Sequence, residues 1–449
     1  MSVKMLFPCS YILKGGSIMN RSANTKKITG IMLGYSIALL VTALLAGNLG
    51  QSFAGLWKIV SSPAQLTMDY FKLGTPGGTF LNAGLVGLAC VLVFWVSKFE
   101  LNGATLMAFF LTIGFSFFGM NIMNIWPCIF GTWLFAKVTK VSFASQVNVA
   151  VFSTALSPFV SEAICRYPAF DGVAGAMVLK VLLGIALGAI AGFLMGILCQ
   201  HSPNLHRGYT LYNAAAVAGF IGVLLFAFMY RGTGHEIPTN TDIGESYALL
   251  GNLFAVITSL LAVVCGFFMN GKSFRGMGEV LKSTGYKCDF TKNDGVGKTL
   301  INIGLFGLFV TGYYNLTGAA MTGPTVGCIV CLLAITPCGA HIFNMFPIML
   351  GYLLASTFGG FTITTQAIIV GLCFAGALVP ISGCFGTLSG ILAGMVHACM
   401  VTTIVTFHGG FCLYNGGFTA GITAILLAPV LEYFFTPSQK LYLFPKLKK

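Results

Sequence analysis

Between Thr299 and Leu431 the chain runs for 133 residues without one Asp, Glu, Lys or Arg. A water-soluble domain of that length would need charge on its outer faces, so the surroundings of this stretch must be lipid. Its readily titratable groups are His341, His397 and His408, with cysteine and tyrosine beside them. The whole chain is 8% charged, against about 25% in ordinary soluble domains. Its 57 glycines suit helices that approach closely in lipid. The chain therefore reads as an all-α polytopic membrane protein.

A net charge of +13 does not mark a nucleic-acid binder here, because Lys and Arg collect in the N-terminal arm, one loop and the C-terminal tail. Such clusters carry topology signal and attraction to anionic lipid. Most of the 14 cysteines sit singly in apolar segments, where free Cys behaves as a small hydrophobe. The close pair Cys328 and Cys331 lies in a predicted span and lacks the second pair or His cluster of a metal or redox site. No metal or cofactor is expected. The lipid bilayer and a small polar solute are the expected partners, with no nucleic acid, and a homo-oligomer is expected.

Residues 1–29 form a basic arm (Lys4, Lys14, Arg21, Lys26, Lys27) without the short apolar core and cleavage site of a signal peptide. Lys14-Gly15-Gly16 is encodable by a purine-rich ribosome-binding sequence, so Met19 is the expected natural start and residues 1–18 the untranslated part. Apolar segments near 30–49, 80–97, 104–120, 122–136, 145–164, 173–200 and 210–230 predict seven membrane-embedded pieces in a first half, 30–230. Seven more, near 246–269, 300–315, 322–337, 341–357, 364–380, 383–405 and 411–434, make a second half, 246–434. Several fall short of the ~20 residues a span needs, so the third and fourth of each half read either as a re-entrant pair or as two crossings. The loop 231–245 (Glu236, Asp242 and Glu245 against Arg231) is expected outside, and the loop 270–299 (Lys272, Arg275, Lys282, Lys287, Lys292, Lys298) inside. The N-terminal arm and the basic tail 435–449 join that loop on the cytoplasmic face.

The halves are repeats. Thr79-Phe80-Leu81-Asn82-Ala83-Gly84 matches Thr299-Leu300-Ile301-Asn302-Ile303-Gly304 at an offset of 220, which also pairs Thr105 with Thr325, Asn124 with Asn344, Pro127 with Pro347 and Gly131 with Gly351. Further on the offset becomes 202. There Gly184, Gly188 and Gly192 pair with Gly386, Gly390 and Gly394, and His206-x-Gly208-Tyr209-x-Leu211-Tyr212-Asn213 pairs with His408-x-Gly410-Phe411-x-Leu413-Tyr414-Asn415. An odd number of crossings between the copies makes them insert in opposite directions. Two inverted-topology repeats with some broken or re-entrant helices are a transporter and channel signature, with substrate held near the midplane where helices are interrupted.

Candidate pathway residues follow from those interruptions. Proline frees a carbonyl one turn earlier, and in lipid a side chain, water or ligand must satisfy it. Asn124 with Pro127, and Asn344 with Pro347, are therefore either solute contacts or capped kinks. Tyr212-Asn213 and Tyr414-Asn415 read either as two mirrored constrictions or as an interfacial aromatic belt with an N-cap. Thr105 and Thr325 belong to the same set. Asn82 and Asn302 are expected to cap their helices, and the glycines spaced by four to let backbones approach. Lys180, a basic residue inside a span, is a candidate for substrate or ion coupling, with Glu162 as its expected partner. His206 and His408 fall at span ends, where a symmetric gating role is open.

On these residues the chain resembles a bacterial family of membrane proteins classed as a domain of unknown function. The likeness runs from Phe80 to Glu432 through the Asn-x-x-Pro segments, the run Thr322-Gly323-Pro324-Thr325 and the doubled Leu-Tyr-Asn blocks. It implies a multi-pass protein of the bacterial cytoplasmic membrane and no activity. A more distant resemblance is to urea transporters, in Tyr212-Asn213, Tyr414-Asn415, Phe346-Pro347 and, loosely, Asn102-Gly103-Ala104-Thr105. It implies the two-half scaffold and no particular contact residue. The expected function is a channel or transporter for a small polar solute; the alternative is an ion-coupled carrier for a small anion. An intramembrane enzyme is not expected, since no carboxylate pair or His-Glu-x-x-His lies in a span.

Overall fold

The computed structural model describes residues 22–238, 244–442 and 446–448. The expectations for Met19, Lys4, Lys14, Arg21, Asp242 and Lys449 fall outside them. The first half contains α1 (Ala23–Leu45), α2 (Leu49–Val60), α3 (Tyr70–Ser97), α4 (Gly103–Phe115), α5 (Trp126–Val138), α6 (Phe143–Ser153), α7 (Pro158–Cys165), α8 (Ala176–Leu198), α9 (Ser202–His206) and α10 (Asn213–Phe226). The second contains α11 (Ala248–Met269), α12 (Met277–Val280), α13 (Phe290–Asn293), α14 (Val296–Leu316), α15 (Gly323–Leu333), α16 (Ile342–Phe358), α17 (Gln366–Ala375), α18 (Val379–Phe385), α19 (Thr387–Ile404) and α20 (Asn415–Phe434). Among the described residues, nine helices are long and apolar enough to cross a membrane, or up to ten if the bent pair α6–α7 is one span. A two-residue antiparallel pairing, Phe435–Thr436 with Lys446–Leu447, folds the tail back.

Equivalent contacts recur in both halves. In α5 and α8, added Cβ atoms would drive Gly131 into the Ala189 carbonyl, Gly192 into the Cys128 carbonyl and Gly188 into the Pro127 ring. In α16 and α19 the same three contacts are Gly351 on Ile391, Gly394 on Ile348 and Gly390 on Pro347. Only hydrogen fits there, so backbones touch and dispersion acts over the whole seam. The duplication extends earlier than the sequence identities do. Ser36 faces Gly87 as Ser259 faces Gly307, so α1 corresponds to α11. The helix α1 also begins at Ala23, capped by Ser22, and so takes in part of the expected arm.

The short helices α4 and α15 lie against one another at the centre and run antiparallel. A Cβ on Gly114 would sit 2.7 Å from the Gly327 carbonyl oxygen, and one on Gly327 2.5 Å from that of Gly114. At the ends, Gly103 faces the Pro337 carbonyl and Gly323 the Phe117 carbonyl. Equivalent helices that are neighbours and antiparallel are related by a two-fold axis across their midpoints; the repeats are inverted. Each of α4 and α15 turns back at a glycine with positive φ, Gly119 at 81° and Gly339 at 126°, into α5 or α16. α4 begins beside Asp289, and α8, which α5 parallels in the glycine contacts, ends shortly before Gly208 beside Lys287, so α5 returns toward the side where α4 began and the two form a hairpin of short legs.

Asn82 and Asn302 lie inside α3 and α14 instead of at a helix start, which corrects the capping expectation. The Asn82 Nδ2 donates to Ser116 O (2.9 Å) and Met120 O (3.0 Å), and the Asn302 Nδ2 to Thr336 O (3.4 Å) and Ala340 O (2.8 Å). Each amide thus serves carbonyls that the turn after α4 or α15 leaves without helical partners.

The seam makes a direct prediction. Gly192→Ala or Gly394→Ala should lower stability by about 1–3 kcal/mol through overpacking, while Gly30→Ala, with nothing within 4 Å of the new methyl, should not. Apparent melting temperature and monodisperse yield in detergent measure the difference.

Candidate functional site

The ends of α4 and α15 are buried, so their first N–H groups need a partner that is not water. Each takes a carboxylate from the opposite repeat. Asp69 Oδ1 accepts from Gly323 N at the start of α15 (3.1 Å) as well as from Phe71 N (2.9 Å), and its Oδ2 accepts from Gly244 N (3.1 Å). Asp289 Oδ2 accepts from Gly103 N at the start of α4 (3.4 Å), and its Oδ1 from Thr291 N (3.0 Å). Asp69 and Asp289 are mates at the 220 offset, in Asp69-Tyr70-Phe71-Lys72 and Asp289-Phe290-Thr291-Lys292. This pair is absent from the sequence-based candidates, although the offset contains it.

Beside Asp289 opens a cavity of about 240 Å³. Lys287, Cys288 and Gly208 line it, Lys287 being exposed, and its walls include Ala104 and Met107 of α4 and Thr210, Asn213 and Ala214 at the start of α10. Tyr212, Tyr414 and Phe152 close its inner side, the two tyrosines each 2% exposed. Their rings lie 6.3 Å apart. Being equivalent residues, they flank the two-fold axis, and an axis relating inverted repeats lies in the membrane plane. The cavity thus runs from the 270–299 loop to mid-membrane. It is large enough for a small molecule, since one water needs about 10–15 Å³ of such volume, and Asn213, Thr210, Lys287 and Asp289 are polar groups among its apolar walls.

The symmetry-related crevice, where Thr67–Asp69 meets residues 410–417, is bridged shut. Leu66 N donates to Gly410 O (2.9 Å), and Gln65 Nε2 donates to Gly409 O (2.9 Å) and Pro238 O (3.5 Å). Gln366 Nε2 adds a bond to Thr67 O (3.3 Å). On the cavity side the Tyr286 N–H goes to Thr284 Oγ1 (3.4 Å) instead of crossing to Gly208, and the crossing that remains is at the exposed rim, where the Tyr286 hydroxyl donates to Arg207 O (2.9 Å). A symmetric scaffold thus carries an asymmetric opening.

Of the sequence candidates, Tyr212, Asn213 and Tyr414 meet in this cavity. Asn415 does not: it is 4% exposed, its Oδ1 accepts from His408 Nε2 (3.0 Å) and its Nδ2 donates to Val401 O (3.1 Å). Asn124 and Asn344 lie in the hairpin turns. Asn124 Oδ1 accepts from Asn121 N (2.9 Å) and its Nδ2 donates to Gly119 O (3.2 Å) and Ser161 Oγ (3.0 Å). Asn344 repeats the turn bonds with His341 N (2.9 Å) and Gly339 O (2.9 Å). Asn124 and Pro127 also line a separate groove of about 410 Å³ beside Trp126 and Phe130, whereas Pro347 lies against Gly390. Thr105 and Thr325 sit in the first turns of α4 and α15, bonded to Asn102 and Thr322 (3.2 and 3.4 Å).

The Lys180–Glu162 pairing is corrected. Lys180 Nζ pairs with Asp171 (2.6 Å) in the connection just before α8. Glu162, fully buried, takes Arg166 one turn on (2.6 Å) and the Tyr230 hydroxyl. Local partners at i,i+4 and across a short connection outcompete a longer reach, so neither group reaches the cavity. Cys328 and Cys331 are buried within α15, with Cys331 Sγ 3.7 Å from Leu111 O on α4 and Cys373 Sγ 3.4 Å from Cys328 O.

Fold and site together define a multi-pass membrane protein of two inverted repeats with a cavity at their interface that opens to one side. The chain belongs to the family described as "Protein of unknown function (DUF1576)", which matches residues 48–231 and 269–433, one block in each repeat. No curated protein and no solved structure matches the chain, so the likeness to urea transporters stays with the residues that carry it.

Two outcomes follow. Asp69→Ala, which strips a buried carboxylate from the backbone N–H groups of Phe71, Gly323, Gly244 and Lys72, should cost about 2 kcal/mol or more, and Asp289→Ala, at the half-buried cap, less; thermal melting in detergent ranks them. Burial pushes the Cys288 thiol above its ordinary value; hydrogen bonds from Ser283 and Asn293 offset this in part, and the Asp294 and Asp289 carboxylates add to it. Because the thiolate reacts, the pH at which its maleimide labelling rate reaches half its plateau should lie above about 8.5, the midpoint of an ordinary thiol.

Proposed function

We propose that the protein is a carrier that moves a small polar solute by exposing a mid-membrane site to one side of the bilayer at a time. One observation supports this above all: two crevices equivalent by the repeat are in opposite states, one an open cavity and the other bridged by Leu66–Gly410 and Gln65–Gly409. In inverted-repeat carriers each repeat adopts the other's conformation as access alternates. A channel would need both crevices open along one line. The ion-coupled anion alternative drew on half-helix N-termini, where Asp69 and Asp289 already sit on α15 and α4, with Lys180 assisting, which is paired with Asp171 away from the cavity.

Tyr212, Asn213 and Tyr414 then contact the solute from the open side, and Asn415 does so in the opposite state. Asn124, Asn344, Pro127, Pro347, Thr105 and Thr325 hold the helix breaks that shape the site. The reading is transport without covalent chemistry. The Lys-rich 270–299 loop and both termini are assigned to the cytoplasm by the positive-inside bias, so the cavity opens inward in a bacterial cytoplasmic membrane.

Proteoliposomes test this. With labelled urea, alanine and lactate as probes, at least one should show saturable uptake that is stimulated by the same solute on the far side, with no unitary conductance. Asn213→Leu should lower that flux at least tenfold. Unitary conductance, or leakage of all three probes no faster than from protein-free vesicles, would overturn the proposal.

A further inference from the structure

The matched blocks 206–213 and 408–415 share His, Leu, Tyr and Asn at equivalent positions, in two different arrangements. In the second repeat His408 is fully buried, and its Nδ1 accepts from Cys412 N (3.4 Å), so the Nε2 carries the proton and donates to Asn415 Oδ1 (3.0 Å). Asn415 Nδ2 in turn donates to Val401 O, and this unit backs the crevice that is shut. In the first repeat His206 is 1% exposed and its Nδ1 accepts from Gly208 N (3.2 Å). Its Nε2 therefore also carries a proton, and that N–H is buried with no partner. Asn213, the mate of Asn415, is exposed and lines the cavity.

A buried donor left unpaired is costly, and the repeat itself contains the acceptor that would satisfy it. We infer that His206–Asn213 and His408–Asn415 are two alternating latches, one closed in each access state. In the state described, His408–Asn415 holds the far crevice shut while His206 waits for Asn213. In the opposite state Asn213 withdraws from the cavity onto His206 Nε2, with its Nδ2 toward the Cys199 carbonyl that corresponds to Val401, and Asn415 swings into the mirrored cavity. The amide that meets solute on one side thus becomes the bolt when that side closes. This rests on the carrier reading, which it deepens by naming what sets the balance between the two states.

The test reads both mouths at once. Cys288 lines the open cavity, and its 220-offset mate is Met68, so the Met68→Cys chain carries a reporter thiol at each mouth, with Cys288 mapped apart from Cys338, which also lines the cavity. Purified protein in liposomes is treated with a membrane-impermeant maleimide on each side, and labelling is mapped by peptide mass spectrometry. Asn415→Ala or His408→Ala, which remove the far latch, should raise labelling at position 68 and lower it at Cys288, each several-fold. Asn213→Ala or His206→Ala should do the reverse, and Asn213→Ala with Asn415→Ala should return the ratio toward the starting value. Either member of each pair reports alone if the other does not fold. Single variants on opposite repeats that shift the ratio in the same direction, or leave it unchanged, overturn the latches. If position 68 stays unlabelled in every background while Cys288 reacts, alternating access itself fails, and the latches with it.

Discussion

A helix whose first turn is buried has no water for its leading N–H groups, and the two central helices of this protein both begin that way. Their satisfaction comes from carboxylates of the opposite repeat, Asp69 on Gly323 and Asp289 on Gly103. Because each bond crosses between repeats, neither central helix is complete without the other half of the chain. The antiparallel seam of α4 and α15, with backbones in contact at Gly114 and Gly327, follows from the same pairing. Everything else is arranged around it: the hairpin turns are tied by Asn82 and Asn302 to α3 and α14, and the outer glycine seams tie α5 to α8 and α16 to α19.

That arrangement is symmetric in its scaffold and asymmetric in its openings. The glycine contacts and the Asn82 and Asn302 bonds recur at their mates, as close packing requires; shifting them would force backbones into collision. The blocks at 206–213 and 408–415 are different, because they sit where connections cross the repeat interface and hold their partners through a few hydrogen bonds. Such contacts exchange at small cost, whereas a glycine seam does not. Rigid seams and exchangeable mouths together are what a carrier of two states needs.

Much of the site was legible in the residues. Tyr212, Asn213 and Tyr414 are polar breaks in apolar helices, and they do face one cavity. Asn124 and Asn344 gave the same signal for another reason: a tight turn in lipid needs its carbonyls satisfied just as a solute site needs polar groups, and spacing alone does not separate the two. Lys180 misled because hydropathy places it inside a span, while the bend before α8 brings Asp171 within 2.6 Å. Asp69 and Asp289 went unused because the neighbouring residues diverge, although each caps the central helix of the opposite repeat.

What the residues determined alone was the class: a long charge-free stretch demands lipid outside, and identities at two constant offsets with an odd crossing count demand inversion. Which polar groups line the cavity and which cap a turn was decided only by tertiary structure. The offset records common descent of backbone position, which both copies keep. Hydrogen-bond partners depend instead on how the two repeats pack against each other, and identical side chains such as His206 and His408 find different neighbours.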